Sequence, residues 1–232
     1  MTADSQNSSF APEYYFDLSK TEHAALFDGL EYVWDGLKQL SDYLESILKP
    51  GIEGDVHPAA VIEGDVYIGP GTVVEPGAYI NGPAWIGRDC TVRKGAYLRG
   101  NVIAGDGSVL GNACEFKHCA LLGAGNVPHF AYVGDSILGT GAHLGAGVKI
   151  SNVKLIRTNV TVAGADGPID TGLIKFGAAL GDHCDVGCNS VLNPGSLLGR
   201  ETVVYPNSSW RGFLPSRHIV KMRQTQEVVE RR

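Results

Sequence analysis

The fold is decided by residues 62–98, which read IEGDVYIGPGTVVEPGAYINGPAWIGRDCTVRKGAYL. An apolar residue returns at every sixth position of this stretch, and a small or slim residue stands four positions after each one. The rhythm extends on both sides, and its apolar positions are Val56, Ile62, Ile68, Val74, Ile80, Ile86, Val92, Leu98, Ala104, Leu110, Phe116 and Leu122. Such a fixed short period is typical of a solenoid and fits neither an amphipathic helix nor a single alternating strand.

We therefore expect an all-β solenoid, a left-handed parallel β-helix of hexapeptide repeats with three hexapeptides in each coil. The chain has 232 residues, of which 31 are glycine and 19% are charged, and this suits one repeat domain with short appendages. A formal net charge of −6 does not support nucleic-acid binding. No apolar run approaches the roughly 18 residues of a membrane span, and residues 1–10 lack a signal-peptide core, so we expect a cytoplasmic protein.

Three parts are expected along the chain: residues 1–51, 52–210 and 211–232. The first 19 residues predict a flexible arm that docks locally, and helical spacing from Phe27 to Leu48 predicts an amphipathic helix of about seven turns. We expect this helix to cap the open first coil, with packing on a neighbouring subunit as the alternative. The basic segment 211–232 predicts a short helical tail beginning near Ser216, with binding of a phosphate-bearing ligand as the alternative to a solvated face.

Two irregularities interrupt the repeat. The register slips after Leu122 and restarts at Tyr132, which predicts an insertion at residues 126–129. Residues 163–173 contain Gly, Asp and Pro and predict a loop that protrudes before the repeat resumes at Ile174.

The five cysteines are odd in number and show no C-x-x-C spacing. Cys90, Cys114 and Cys184 occupy the slim hexapeptide position, which predicts small buried side chains. A metal site formed by Cys114, His118 and Cys119 matches no usual zinc spacing, so we expect no metal.

Polar residues that break the monotony of the wall are candidate functional groups. Arg99 and Lys117 are 18 positions apart, so the coil predicts that they stack about 4.8 Å apart on the outer surface. An anion such as phosphate between them would explain the pair, and two solvated cations are the alternative. His129 lies inside the register slip, and histidine is suited to act as a base near neutral pH. Spacing alone does not show whether other polar residues converge on it.

Residues 115–117 (Glu-Phe-Lys), 129–136, 143–147 and 151–152 resemble one family: the left-handed β-helix acetyltransferase domain of the bifunctional N-acetylglucosamine-1-phosphate uridyltransferases. Residues 171–178 resemble the corresponding segment of archaeal sugar-1-phosphate nucleotidylyltransferase/acetyltransferases. The resemblance extends from about Val56 to Pro215.

This resemblance implies a homotrimer with active sites between adjacent solenoids. It implies an N-acetyltransferase that uses acetyl-CoA and an amino-sugar 1-phosphate, with no metal. The implied roles are His129 as general base, the backbone N–H of Ala146 as oxyanion donor and cofactor contact, Arg99 and Lys117 as phosphate ligands, Tyr132, His143, Asn152 and Lys175 as further substrate contacts, and Ser190 as a coenzyme A contact.

The chain also departs from this family. His143 stands where the family has Asn, and Val153 stands where the bacterial enzymes have Tyr, so the identity of the sugar stays open. The uridyltransferase half has no counterpart before residue 50, and nucleotidyl transfer is not expected.

Two other functions remain as alternatives. One is a non-catalytic sugar-phosphate or coenzyme A binding or regulatory module, the partner of a separate nucleotidylyltransferase. The other is a zinc enzyme of the γ-carbonic-anhydrase kind, but the His-x4-His spacing of that class is missing among His118, His129 and His143.

Overall fold

The computed structural model describes residues 8–164, 167–223 and 225–231 as a parallel β-solenoid of about nine turns. This architecture confirms the predicted hexapeptide solenoid and is consistent with a left-handed β-helix. The solenoid has three walls, of which one is a separate nine-stranded sheet and two join in a 15-stranded sheet. No helix in the described ranges is long and apolar enough to cross a membrane.

The strands are numbered in chain order. The nine-stranded wall contains β2 (Asp55–Val56), β5 (Val73–Val74), β8 (Thr91–Val92), β11 (Val109–Asn112), β13 (Asn126–His129), β15 (His143–Leu144), β20 (Asp185–Val186), β23 (Val203–Val204) and β26 (Ile219–Val220). A second wall, named the covered wall, contains β1 (Gly51–Ile52), β4 (Val66–Ile68), β7 (Ala84–Ile86), β10 (Val102–Ala104), the second halves of β12 (Glu115–Leu121) and β14 (Tyr132–Leu138), β19 (Ala178–Leu180), β22 (Ser196–Leu198) and β25 (Phe213–Leu214). The third, named the open wall, contains β3 (Val61–Glu63), β6 (Tyr79–Asn81), β9 (Tyr97–Arg99), the first halves of β12 and β14, β16 (Lys149–Ile150), β21 (Val191–Leu192) and β24 (Ser209–Trp210).

The inward positions of all three walls form one continuous core along the axis. Cys90, Cys114 and Cys184 are buried in it, as their slim hexapeptide positions predicted. The earliest turns have eighteen residues each, since Tyr79 pairs with Tyr97. Regular stacking of this kind places residues of equal position on one line parallel to the axis.

The predicted insertion at residues 126–129 is wrong, because the slip is a loss of residues. β12 and β14 are continuous strands of 7 residues where other turns have two strands and a corner. Successive inward residues are therefore closer in sequence here than the hexapeptide period, from Phe116 to Leu121 and again from Val133 to Leu138. Each affected turn has seventeen residues. Both shortened corners lie at the same edge, between the open and covered walls.

The real interruption of the repeat is longer than the predicted loop 163–173. The chain leaves the open wall after Ile150 and rejoins the covered wall at Ala178, so that His143 pairs with Asp185 across the excursion. Within it, β17 (Thr161–Gly164) and β18 (Gly167–Asp170) form an antiparallel hairpin. Ile174, the predicted restart, is exposed in the returning segment of the excursion.

The N-terminal segment lies along the covered wall. It contains 3-10 turns at Ser8–Phe10, Leu18–Lys20 and Ala24–Phe27 and the helices α1 (Pro12–Tyr15) and α2 (Asp35–Ile47). The main contacts of α2 are with β12 and β14, in the middle of the covered wall, so the prediction that this helix caps the first coil is wrong. The outward residues of the covered wall are apolar and need a cover, and the segment supplies it.

The prediction of a seven-turn helix is wrong in its length, because α2 contains 13 residues. Gly29 has a φ of 73°, in the left-handed region, which separates the 3-10 turn before it from α2. A Cβ on Gly36 would lie 3.1 Å from Ile137 Cδ1, so a glycine permits the helix to approach the wall closely. Phe10, Tyr15 and Phe16 are buried, so the described part of the arm is docked.

The helical tail is also absent from the described residues. β25 and β26 continue the solenoid through Val220, with registers Leu197 to Phe213 and Val203 to Ile219. The last strands of the solenoid therefore occupy the segment in which the sequence predicted a helix.

Candidate functional site

A cleft of about 300 Å³ lies on the open wall beside the excursion. It brings together five of the predicted site residues: three come from successive turns, and two come from the outgoing and returning segments of the excursion. Its lining residues are Arg99, Lys117, Tyr132, Asn152, Val153, Arg157, Ile174 and Lys175.

The shortened corners explain why these side chains share one cleft. Arg99 ends β9, Lys117 lies in β12 just before the corner, and Tyr132 begins β14. The parallel register sets each of them one turn above the last. The excursion then returns antiparallel to its own start, with a bridge between Val153 and Lys175.

Two cations of the cleft are paired with carboxylates. Arg99 Nη1 lies 2.6 Å from Glu115 Oε1, and Lys117 Nζ lies 3.4 Å from Asp135 Oδ2. Asp135 is buried, so its charge is compensated within the wall by Lys117 and by the Asn152 amide, which donates to the same oxygen.

The Asn152 amide also donates to the Tyr132 hydroxyl oxygen at 3.2 Å. Burial, followed by the negative charges of Asp135 and Glu115, raises the pKa of Tyr132 above its ordinary value. The phenol is therefore protonated near neutral pH. Because its oxygen accepts from Asn152, its own hydrogen is available to donate to a ligand.

His129 and Ala146 lie outside the lining of this cleft, at the corner between the nine-stranded wall and the open wall. The two residues are on consecutive turns, since Gly147 N donates to the His129 carbonyl at 3.0 Å. Tyr132 follows His129 by three residues, which limits their Cα separation to about 11 Å. The corner and the cleft are therefore adjacent parts of one surface.

The Ala146 N–H has no hydrogen-bond partner among the described residues. The sequence contains the reason, because the same turn position is a proline, which has no N–H, in several other coils: Pro70, Pro76, Pro194 and Pro206. The solenoid does not need this donor, and Ala146 leaves it free for a ligand. The His129 imidazole is exposed and likewise contacts no hydrogen-bond partner in the described ranges.

Two predicted residues lie elsewhere. His143 Nδ1 is 3.1 Å from Asp185 Oδ1, and His143 lines a different cavity on the nine-stranded wall together with the exposed Cys188. Ser190 is buried, and its hydroxyl donates to the Tyr205 carbonyl at 3.0 Å and accepts from Ser208 N at 3.2 Å. Its side chain is thus used inside the turn.

Arg157 is a cleft residue that the sequence reasoning missed. It lies in the excursion, where the hexapeptide register no longer predicts position. The sequence signal for it is weak: a basic residue lies between Asn152 and Lys175, which are two predicted substrate contacts.

The described residues contain no group of three or more His, Cys, Asp or Glu side chains arranged to hold a metal ion. Within the considered Cys114–His118–Cys119 set, Cys119 is fully buried and burial raises its thiol pKa well above the ordinary value. His118 instead donates from Nε2 to the Leu37 carbonyl of α2 at 3.0 Å.

Comparisons with known proteins agree with the resemblance. The family described as "GMPPB C-terminal domain" matches residues 80–167. The "Bifunctional protein GlmU" of Methanococcus vannielii is 33% identical over 174 residues, which is 75% of this chain and 42% of that protein. The "Bifunctional sugar-1-phosphate nucleotidylyltransferase/acetyltransferase" of Sulfurisphaera tokodaii is 31% identical over 99 residues, 43% of this chain and 25% of that protein. The chain thus spans less than half the length of these relatives.

Among solved structures, a putative acetyltransferase from Desulfovibrio desulfuricans G20 matches with a TM-score of 0.34 and 15% identity. That match covers 82% of this chain and 31% of the other. The curated names support an acyltransferase as the class of enzyme. Together with the solenoid and its cleft, the sequence matches identify this chain as a homologue of the GlmU-type bifunctional proteins, corresponding to their C-terminal acetyltransferase half.

Proposed function

We propose that this protein transfers the acetyl group of acetyl-CoA to the amine of a hexosamine 1-phosphate. The observation that carries the proposal is the cleft itself, in which Arg99, Lys117, Tyr132, Asn152 and Lys175 line one surface. A basic cleft suits a phosphate, and the polar Tyr132 and Asn152 suit the hydroxyl groups of a sugar.

In the proposed reaction the neutral substrate amine attacks the thioester carbonyl carbon, forming a tetrahedral oxyanion. The His129 imidazole accepts the one proton that the amine nitrogen must lose to become an amide. When this intermediate collapses, the carbon–sulfur bond breaks and the thiolate of coenzyme A takes the proton from the imidazolium. A positioned base contributes about 10²- to 10⁴-fold to such a step.

The free N–H of Ala146 is the proposed donor to the oxyanion. Its position on the turn after His129, at the same corner, supports this role. Removal of one side-chain oxyanion donor in another acyl-transfer enzyme costs about 3–4 kcal/mol of transition-state stabilisation.

The assembly that we propose is a homotrimer, in which a neighbouring solenoid closes the open wall and completes the site. The proposed partners are acetyl-CoA and the sugar phosphate, with no nucleic acid, no membrane and no metal, and the proposed location is the cytoplasm. Direct contacts from His143 and Ser190 stay predictions, and the buried hydroxyl of Ser190 argues against a side-chain contact with coenzyme A.

The experiment mixes the purified protein with acetyl-CoA and either glucosamine 1-phosphate or galactosamine 1-phosphate and follows the released thiol. We expect turnover with one of them, and His129→Ala should lower kcat by about 10²- to 10⁴-fold with an unchanged circular dichroism spectrum. The matched control is His57→Ala, which removes an exposed imidazole on an early turn outside the cleft. No turnover with either sugar or with a wider panel of amines would remove the proposal.

A second candidate is a module that binds the sugar phosphate or coenzyme A without turnover. The observation that favours it is the His129 imidazole, which no carboxylate or carbonyl of the described residues orients. Binding of coenzyme A without thiol release in the presence of amines would support this candidate. Activity that depends on His129 would exclude it.

A further inference from the structure

The cations of the cleft fall into two pairs with different surroundings. Arg99 and Lys117, on the solenoid wall, are engaged by Glu115 at 2.6 Å and by Asp135 at 3.4 Å. Arg157 and Lys175, on the excursion, form no ion pair with a carboxylate of the described residues. The cleft cations without a carboxylate partner among the described residues are therefore those of the excursion.

The loop that contains Arg157 is held in one conformation from its other side. Lys154 Nζ donates to Thr158 Oγ1 at 2.7 Å and to the Asn159 carbonyl at 2.8 Å, which closes residues 154–159 into a turn. Asn159 Nδ2 donates to Asp170 Oδ2 at 3.2 Å and ties this turn to the hairpin. Arg157 thus projects from a closed turn, which lowers the conformational entropy lost on binding.

The base of the excursion fixes Lys175 beside it. Phe176 N donates to the Asn152 carbonyl at 3.0 Å, and Val153 bridges Lys175. The outgoing and returning segments are therefore joined next to the cleft, and Arg157 and Lys175 both line it.

We infer that Arg157 is a specificity-determining residue, which together with Lys175 binds the phosphate monoester of the substrate. The identity of the ligand as a sugar phosphate rests on the proposed function, whereas the binding of a phosphate anion by these two cations does not. The four cations of the cleft exceed the two carboxylates that pair with them by two charges, which matches the near-dianionic state of a phosphate monoester at neutral pH. The planar guanidinium of Arg157 can donate two parallel hydrogen bonds to phosphate oxygens. The guanidinium of Arg99, in contrast, already donates to Glu115.

This assignment separates two tasks on the open wall. The Arg99–Glu115 and Lys117–Asp135 pairs hold the floor of the cleft, where Asn152 and Tyr132 present their polar groups. The excursion distinguishes phosphorylated from unphosphorylated sugars. Loss of Arg157 should therefore change discrimination between the two, without changing binding of the sugar itself.

The test is isothermal titration calorimetry of the full chain with inorganic phosphate, glucosamine 1-phosphate and glucosamine. The variants are Arg157→Gln, Arg157→Lys and the matched control Arg88→Gln, which removes the same charge from a turn outside the cleft. We expect Arg157→Gln to weaken the affinity for both phosphate probes by about tenfold and to leave glucosamine unchanged. Arg157→Lys should show an intermediate loss, because it retains the charge and loses the planar fork.

Equal affinities of Arg157→Gln and the wild type for phosphate would overturn the inference. So would an equal loss in Arg88→Gln, or a wild-type chain that does not bind inorganic phosphate at millimolar concentration. Phosphate binding that depends on Arg157, in a protein with no acetyl transfer to any amine, would contradict the proposed function and leave this inference standing.

Discussion

The covered wall and the open wall have the same inward pattern and differ in one outward row. On the covered wall that row reads Tyr67, Trp85, Ile103, Ala120, Ile137, Ala179, Leu197 and Phe213. On the open wall it reads Val61, Tyr79, Tyr97, Glu115, Tyr132, Lys149, Val191 and Ser209. The first row is nearly all apolar and recruits the N-terminal segment, whereas the second is mostly polar or amphipathic and stays available to a ligand. The inward residues thus form the core of the solenoid, and the outward residues decide whether a wall packs against protein or remains open to a ligand.

The largest expected effect comes from a charge placed in the apolar row. Ile103 is fully buried between wall and segment, so Ile103→Asp should lower the free energy of unfolding by at least about 4 kcal/mol. Val61→Asp is the matched change on the open wall, where the side chain is 43% exposed, and should stay within about 1 kcal/mol. Urea unfolding measures both. Equal losses would show that the walls do not differ in the way described.

A histidine in the cover should make its docking depend on pH. His23 contacts Trp85 edge to face at 4.4 Å and bonds Tyr43 through Nδ1 at 3.1 Å. Burial lowers the pKa of His23 to about 4, while the charge of Asp106 acts in the opposite direction. The unfolded chain, with a pKa near 6.5, then binds more protons, so stability is lost as pH falls from about 6.5 towards 4.

The loss from this single residue amounts to about 3 kcal/mol at the acid end. His23→Phe keeps an aromatic ring against Trp85 and should flatten the profile over this pH range. The control is His57→Phe, an exposed position, which should retain the slope of the wild type. Parallel profiles of wild type and His23→Phe would contradict the prediction. Urea unfolding at a series of pH values provides the measurement.

A smaller effect is expected where the cover is fastened to the solenoid. Buried Asp182 accepts from Asp17 N at 2.7 Å and from Thr140 N at 2.8 Å. Asp182→Ala leaves both donors unpaired and should lower stability by about 2–3 kcal/mol, with faster hydrogen exchange in residues 8–34. The control is Asp185→Ala, whose carboxylate is exposed and pairs with His143, and it should change stability by less than about 1 kcal/mol. Unchanged exchange in the segment would show that Asp182 does not fasten it.

The smallest effect concerns the open wall. Glu115→Gln removes the carboxylate that engages Arg99, so Arg99 becomes available to phosphate. The affinity for inorganic phosphate should rise by only about threefold, because an exposed ion pair contributes little free energy. Glu63→Gln is the control, since its carboxylate accepts from Tyr79 and lies outside the cleft. Calorimetry compares the two variants. Weaker binding by Glu115→Gln would mean that this carboxylate positions Arg99 for the ligand.

The solenoid could be predicted because an inward side chain has one environment, the axis. The slip could not be located, because both shortened sides end next to a second apolar residue. Leu121 faces the axis while Leu122 faces the N-terminal segment, and Ile137 faces that segment while Leu138 faces the axis. A sequence does not say which of two adjacent apolar residues is inward when both faces are covered.

The candidate site shows the same division. Arg99 and Lys117 were predictable from their spacing, and Tyr132, Asn152 and Lys175 from the resemblance. Arg157 was not, because its place depends on the side-chain hydrogen bonds of Lys154, Asn159 and Asp170, which the repeat pattern does not predict. The helix was overextended because its apolar spacing continues through Phe27 and Leu30, across the left-handed Gly29.

The excursion departs after Ile150 and returns at Ala178, yet the turns on either side stack in unbroken register. Gly177 N donates to the Asp135 carbonyl at 2.8 Å and Ala178 N to Ser136 Oγ at 3.1 Å, so the re-entry point is sealed by the turn below it. The strands on either side therefore pair directly with one another, and their register does not set the length of the segment between those points. An insertion placed in this way adds ligand-facing residues such as Arg157 and Lys175 beside a wall whose strand ladder is already complete.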